Sequence, residues 1–138
     1  MREFKSGQPT EIVVHHSASM HGDADEIRRW HLARGFDDIG YHFVVTMEGA
    51  IEKGRSLSYQ GAHTRAKGKN RTGIGICLIG DSTKEPFTQN QFFALFNLVN
   101  SLRWLYKKDF PVSQHSDHDP HRKPFCAGLN KQQLGVLS

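Results

Sequence analysis

Two short runs of apolar residues constrain the fold of this chain more than any other feature. The stretch "EIVVHHSAS", residues 11–19, carries Ile12, Val13 and Val14, and the stretch "GIGICLIGD", residues 73–81, is apolar almost throughout. Apolar runs that lack polar alternation and end in turn-forming residues are typical of strands buried on both faces of a sheet. The two runs therefore predict a central β-sheet covered by helices, in an α/β (α+β) domain.

Residues 23–35, "DADEIRRWHLARG", carry the signals of an amphipathic helix. Asp23 is placed to cap the N-terminus, Glu26 follows three residues later as in a capping box, and Gly35 is placed to end the helix. The apolar side is predicted to consist of Ile27, Trp30 and Ala33. A helix of this kind can cover one face of the sheet.

A longer helix is predicted over residues 88–108 from apolar residues at helical spacing. Its apolar side is predicted to consist of Phe92, Leu95, Phe96, Val99, Leu102 and Leu105. The other predicted elements are a hairpin over 40–54 with its turn at Glu48-Gly49, a basic surface loop over 59–73, an irregular segment over 110–128 and a short helix over 129–137.

Composition indicates a single globular domain over residues 1–138, because 37% of the residues are hydrophobic and 23% are charged. No apolar run approaches the roughly 20 residues that a membrane span needs. The first residues, "MREFKSGQPTE", lack the apolar region of a secretory signal, so we expect synthesis in the cytosol. We also expect a monomer. The net charge of +4 predicts weak attraction to anionic partners such as nucleic acid, wall polymer or membrane.

Histidines and cysteines are the residues most suited to chemistry in this sequence. His15 and His16 end the first apolar run, and since strand side chains alternate between faces, only one of them can point into a given site. A second group follows a predicted strand near the C-terminus; its members are His115, His118, His121 and Cys126. Zinc binds imidazole nitrogen and thiolate sulfur, and a catalytic zinc site uses three protein ligands. The spacing alone leaves a metal site and a set of ordinary buried side chains both open.

Several longer motifs resemble the type-2 N-acetylmuramoyl-L-alanine amidases, and above all the small phage endolysins of that family. They are "VVHHSAS", "EIRRWHLARGFDDIGYHFVV", "GAHTRAKGKNRTGIGICLIGD" and a histidine–lysine–cysteine tail. The resemblance runs in order from about residue 10 to about residue 130. It implies a single amidase domain with a central mixed sheet flanked by helices and a zinc cleft at one edge of the sheet. It also implies hydrolysis of the amide between N-acetylmuramic acid and L-alanine in peptidoglycan.

The resemblance assigns a role to six positions. His15, His115 and Cys126 match the three zinc ligands. Tyr41 matches the family's cleft tyrosine, which can orient or deprotonate the attacking water, and His63 matches a cleft histidine that contacts substrate. Lys123 matches the lysine that stabilises the oxyanion. This lysine stands three residues before Cys126 rather than two as in the small phage enzymes, so Arg122 and His121 are alternatives.

Other polar residues have simpler interpretations. His16 is predicted to be structural or to support the site, His31 and His42 to pack in the interior, and Cys77 to be a small buried apolar residue. His118 and His121 stay open as alternative ligands. Asp117 and Asp119 either orient a ligand histidine or build turns. The basic stretch 65–71 is either a solvated loop or a contact surface for substrate carboxylates.

Two other functions compete with hydrolysis of peptidoglycan by a zinc enzyme. The first is a peptidoglycan-binding module without catalysis, although such relatives typically lose the cysteine ligand that Cys126 provides here. The second is regulation of a phage RNA polymerase, a role known for a phage member of the family but without a marker in this sequence. Nucleic acid is not expected as an obligatory partner, since basic residues are dispersed outside one loop.

Overall fold

The fold is built on one five-stranded mixed sheet, seen in a computed structural model that describes residues 1–138. The strands are β1 (Glu11–His16), β2 (Phe43–Val45), β3 (Ile51–Lys53), β4 (Gly73–Leu78) and β5 (Val112–Gln114). Their order across the sheet is β3-β2-β4-β1-β5. β1 runs parallel to β4 and β5, and β2 runs parallel to β4 and antiparallel to β3. The predicted mixed central sheet is confirmed.

Helices cover both faces of this sheet, as predicted. They are α1 (Ala24–Ala33), α2 (Gln89–Tyr106), the single turn α3 (His115–His118) and α4 (Lys131–Leu137), with a short 3-10 segment at Ala66–Arg71. The larger apolar core lies between the sheet and α2 with α4, and the smaller one lies under α1. None of the helices has the length and apolar character that crossing a membrane requires.

The two apolar runs form the central strands of the sheet. Every residue of β4 is buried, and Val13 and Val14 of β1 have no exposed surface. His15 pairs in register with Cys77 of β4, so it lies near the carboxyl end of a strand that is covered on both faces. The sheet therefore holds His15 rigidly where the chain leaves the core.

The helix α1 begins as predicted but buries a different stripe. The Asp23 Oδ1 accepts a hydrogen bond of 2.8 Å from the Glu26 backbone N–H, and Gly35 follows the helix with a φ of +92°. The prediction of Trp30 and Ala33 on the buried side is wrong, because Trp30 is 37% exposed and Ala33 is exposed. The buried residues are Ala24, Ile27 and His31. A polar side chain thus occupies part of the inner face.

The long helix α2 is confirmed, with a correction at its C-terminal end. Thr88 and Gln91 form a complete capping box at its start. Leu105 is 60% exposed, so its predicted place in the core is wrong. The buried stripe runs instead through Gln91, Ala94, Leu95, Leu98, Val99 and Leu102.

The hairpin prediction is confirmed, and the predictions for the segments 59–73 and 110–128 are only partly right. The hairpin of β2 and β3 is confirmed, with its turn at Gly49, where φ is +89°. The segment 59–73 carries exposed basic residues, but His63 and Thr64 within it are buried. The segment 110–128 is not wholly irregular, since it contains β5 and α3.

A buried neutral histidine in this fold predicts a loss of stability in acid. The His42 Nδ1 accepts a hydrogen bond from the Gly75 backbone N–H, and its Nε2 donates to the Tyr59 carbonyl. Burial lowers the pKa of His42 to about 4, whereas an unfolded histidine titrates near 6.5. The unfolded chain therefore binds more protons between these values, and the stability present above pH 6.5 is lost as the pH falls through 4, by about 3 kcal/mol in total.

Urea unfolding at several pH values between 7 and 4, with EDTA present, measures this effect. In His42→Gln, the free energy of unfolding should depend less steeply on pH than in the wild type, by up to one proton. Equal slopes in the two proteins would show that His42 is not the group responsible.

Candidate metal centre and its cleft

An open cleft of about 600 Å³ lies at the carboxyl ends of β1 and β5. The residues that line it and matter most here are His15, Tyr41, His63, His115, Lys123 and Cys126. All six positions to which the family resemblance assigned a role thus border one cavity. His118 and His121 do not line it.

Three distant parts of the chain bring potential metal ligands together. His15 lies on β1, His115 is the first residue of α3 directly after the edge strand β5, and Cys126 lies in the loop that follows. One ligand atom from each residue lies within 4.8 Å of the others. The His15 Nδ1 lies 3.7 Å from the Cys126 Sγ, and the His15 and His115 rings are 4.7 Å apart between centroids.

This donor set suits a transition metal such as zinc. All three side chains are buried, at 1%, 8% and 5% exposure, yet they border an open cavity. Two imidazole nitrogens and one sulfur form a three-ligand set of the kind that catalytic zinc sites use, with a further position left for water or substrate. The residues His15, His115 and Cys126 are therefore a candidate metal-binding triad.

Burial sets the protonation states of the triad. It lowers the pKa of His15 well below its usual value, and neighbouring histidines lower it further. It also lowers the pKa of His115 to about 4, although Asp119 opposes that shift. Burial raises the pKa of Cys126 to about 11, with the His16 backbone N–H and Lys123 acting in the other direction. At neutral pH both imidazoles offer lone pairs, and the thiol must lose its proton to solvent in order to bind a metal ion as a thiolate.

His63 is buried at the floor of the cleft, next to His15. Its Nδ1 lies 3.0 Å from the His15 Nε2, and its Nε2 lies 2.9 Å from the Gly73 carbonyl oxygen. The Thr64 hydroxyl lies 3.0 Å from the His63 Nδ1 and 3.1 Å from the His15 Nε2. The predicted substrate contact of His63 stays a prediction, but both of its ring nitrogens already have partners within the protein.

Tyr41 packs against the His15 ring, with centroids 5.1 Å apart, and against the His31 ring at 5.5 Å. Burial raises the pKa of Tyr41 well above its usual value, and the thiols of Cys77 and Cys126 add to the shift. The phenol is therefore protonated at neutral pH. It is suited to donating a hydrogen bond in the cleft and unsuited to removing a proton.

The loop between His115 and Cys126 brings two basic residues to the cleft. Lys123 and Arg122 both line the cavity, whereas His121 does not. His118 turns away from the triad, and its Nε2 lies 2.7 Å from the Ser113 hydroxyl. Of the three alternatives for an oxyanion-stabilising residue, Lys123 and Arg122 have the right location.

The neighbouring acidic residues have separate functions. The Asp117 carboxylate accepts a hydrogen bond of 2.9 Å from the Gln114 backbone N–H, so it builds the turn before α3. Asp119 lines the cleft and lies close enough to His115 to raise its pKa against the effect of burial. His16 lies beside the cleft, and its Nδ1 accepts a hydrogen bond from the Ser82 backbone N–H.

Sequence reasoning missed two residues that organise the floor of the cleft. Thr64 has no exposed surface and joins His15 to His63. The Asn70 Oδ1 accepts hydrogen bonds of 2.7 Å from the backbone N–H groups of His63 and Thr64. Their signal lay inside "GAHTRAKGKN", where a histidine, a threonine and an asparagine stand among residues typical of a surface loop.

Comparison with known proteins gives a consistent result. A family described as N-acetylmuramoyl-L-alanine amidase matches residues 5–124. The endolysin of Escherichia phage T7 is 43% identical over 114 residues, which cover 76% of this chain and 74% of that protein. The endolysin of Enterobacteria phage K11 is 36% identical over 119 residues, covering 80% of this chain and 78% of that protein.

A solved structure extends the similarity to the complete fold. The N-acetylmuramoyl-L-alanine amidase LysC from Clostridium intestinale URNW has a TM-score of 0.82 at 29% identity, covering 99% of this chain and 87% of that chain. The family match ends at residue 124, two residues before Cys126, so the third member of the triad is placed by the geometry of the cleft. In sequence and in fold, this chain belongs to the N-acetylmuramoyl-L-alanine amidase family.

Proposed function

We propose that this protein is a zinc-dependent N-acetylmuramoyl-L-alanine amidase of the endolysin type. It hydrolyses the amide bond between N-acetylmuramic acid and L-alanine in peptidoglycan. The observation that carries the proposal is the convergence of two imidazoles and one thiol, from His15, His115 and Cys126, in an open cleft of the family fold. A cleft of this size has room for part of a muramyl peptide and is accessible from solvent.

The triad would hold one zinc ion through His15, His115 and Cys126. A bound zinc ion polarises a carbonyl oxygen and lowers the pKa of the water that it binds. The protein contributes buried, neutral imidazoles and a cysteine that loses its proton on binding, so zinc affinity should fall in acid.

Two further side chains would act on the substrate. The Tyr41 phenol, kept protonated by burial, donates a hydrogen bond to an oxygen in the cleft and orients the attacking water. The Lys123 ammonium group faces the same cavity and stabilises the negative charge that develops on the scissile carbonyl oxygen. Arg122 borders the cavity beside it and is the alternative for this task.

The charge of the cleft fits an anionic substrate. The basic residues Arg34, Arg65, Arg122 and Lys123 line it, and Asp119 is the one acidic residue among the lining side chains. Stem peptides of peptidoglycan carry free carboxylates, so these cations favour the natural substrate over a neutral amide. The basic stretch 65–71 would therefore contribute to substrate binding at Arg65, while Lys69 is engaged in an ion pair with Glu11.

This function also suggests a biological setting. As an endolysin, the protein would be made in the cytosol as a monomer and would reach the cell wall after a separate lesion opens the membrane. Affinity for the cell wall would come from the cleft and from the basic residues that line it.

Purified sacculi provide the direct test. The protein should release new L-alanine amino termini without new reducing sugar ends, because the cut separates the glycan from the peptide. EDTA should abolish the release, and zinc should restore it. A protein that binds sacculi and zinc but releases no amino termini would be a binding module, which is the competing proposal that the presence of Cys126 and Tyr41 disfavours.

A further inference from the structure

The floor of the cleft contains a chain of hydrogen-bonding groups that leads from the backbone to the triad. It runs from the Gly73 carbonyl through the His63 ring to the His15 Nε2, and the Thr64 hydroxyl bridges the two rings. We propose that His63 is a positioning residue that keeps the His15 proton on Nε2 and so leaves the His15 Nδ1 lone pair free for a metal ion. The inference rests on the proposed zinc site.

The direction of donation along these hydrogen bonds follows from the Gly73 carbonyl, which can only accept a hydrogen bond. The His63 Nε2 lies 2.9 Å from this oxygen, so it must carry the proton of the neutral ring. No carboxylate contacts the His63 ring to favour a second proton. The His63 Nδ1 therefore has a lone pair that points at the His15 Nε2, 3.0 Å away.

This lone pair determines the tautomer of His15. If the His15 Nε2 also lacked a proton, two lone pairs would oppose each other at 3.0 Å in a buried site. The Thr64 hydroxyl fits this arrangement when it donates to the His63 Nδ1 and accepts from the His15 Nε2–H. Donation from Thr64 to the His15 Nε2 would require a lone pair on that nitrogen, opposed to the lone pair of the His63 Nδ1. The proton of His15 is thus on Nε2, and its Nδ1 faces the Cys126 Sγ at 3.7 Å.

The fold holds the His63 ring in a slot made by two glycines. A Cβ added at Gly75 or at Gly61 would lie 2.5 Å from the His63 Cδ2, which is too close for any side chain. Asn70 fixes the backbone on the other side by accepting from the N–H groups of His63 and Thr64. The slot and the fixed backbone therefore restrict the movement of the ring, which is what a positioning group needs.

Imidazole ¹⁵N spectra of the wild-type protein freed of metal with EDTA test the tautomers directly, because a bound ion would itself fix the tautomer of His15. We expect both His63 and His15 to be protonated at Nε2, and the His15 Nε2–H to exchange slowly with water. A His15 ring protonated at Nδ1 would overturn the proposal. This measurement requires no substrate and no variant.

Zinc affinity in matched variants tests the consequence. Competition with a chromophoric chelator should show that His63→Leu weakens zinc binding about 10- to 100-fold, the range for groups that orient a ligand. His63→Asn, whose side-chain oxygen can accept in place of Nδ1, should recover a large part of that loss. His31→Leu removes another buried histidine, which packs against Phe36 and Tyr41 rather than against His15 or His63, so its zinc affinity should equal that of the wild type.

These outcomes separate the two proposals. Wild-type affinity in His63→Leu, or an equal loss in His31→Leu, would overturn the role of His63 while the zinc site stands. A wild-type protein that binds no zinc would overturn the proposed function itself. Thermal unfolding of each variant shows whether a change in affinity follows a change in stability.

Discussion

Replacement of Cys126 with serine should remove zinc and amidase activity together. Cys126 supplies the only sulfur of the triad, and a serine hydroxyl does not ionise near neutral pH to replace the thiolate. The wild type should contain about one zinc per chain, and the variant should contain almost none. The metal stabilises the transition state by several kcal/mol. Its loss therefore corresponds to a decrease of about 1,000-fold or more in the rate.

Metal analysis and amino-terminus release from sacculi measure the two effects in the same samples. Cys77→Ala is the matched control, because Cys77 is also buried and lies on the neighbouring strand, but is not part of the triad. That control should keep its zinc, and its activity should stay far above that of Cys126→Ser, although the loss of the thiol beside Tyr41 can lower it somewhat. A Cys126→Ser protein that remains active without metal would contradict the proposed mechanism.

Replacement of Tyr41 with phenylalanine should lower kcat by about 100-fold or more, within the range for groups that assist proton transfer or orient water. The ring would remain in place against His15 and His31, so zinc content and stability should change little. KM should also change little, because the lost hydrogen bond acts on the attacking water rather than on the bound peptide. Steady-state kinetics with a soluble muramyl peptide would separate kcat from KM.

Tyr106→Phe provides the control for this substitution. Tyr106 packs against Phe110 at the end of α2 and does not line the cleft, so its hydroxyl should be dispensable for the reaction. An unchanged kcat in Tyr41→Phe, with zinc still bound, would remove the phenol from the mechanism and leave the metal site intact.

The core of the fold could be predicted from the sequence because its signals are local. Apolar residues follow one another without polar alternation at Ile12 to Val14 and in β4. This pattern is typical of strands that are covered on both faces. The buried stripe of α1 could not be predicted as well, since His31 is buried with its ring nitrogen accepting a hydrogen bond from the Gly40 backbone N–H and its ring packed against Phe36. Polarity alone does not reveal such a partner.

The candidate site was predictable only in part for a related reason. Spacing left the metal site open, and the ligand set came from the family resemblance, because the side chains of His15 and Cys126 approach each other only through the fold. The burial of His63 was not predictable from its basic, glycine-rich surroundings. It depends on the missing side chains of Gly61 and Gly75, whose effect appears only when the loop lies against β4.

The placement of the triad has a consequence for the whole molecule. Its members come from the first strand and from the region just before the last helix, so an ion held there would clasp together two segments separated by 111 positions. Because the ion would bind the folded chain, it would stabilise the fold, and this stabilisation would increase with the concentration of free ion. When that ion is scarce, the enzyme would then lose both activity and stability. The metal-free protein would unfold more often and would be degraded by proteases before it could reach a cell wall.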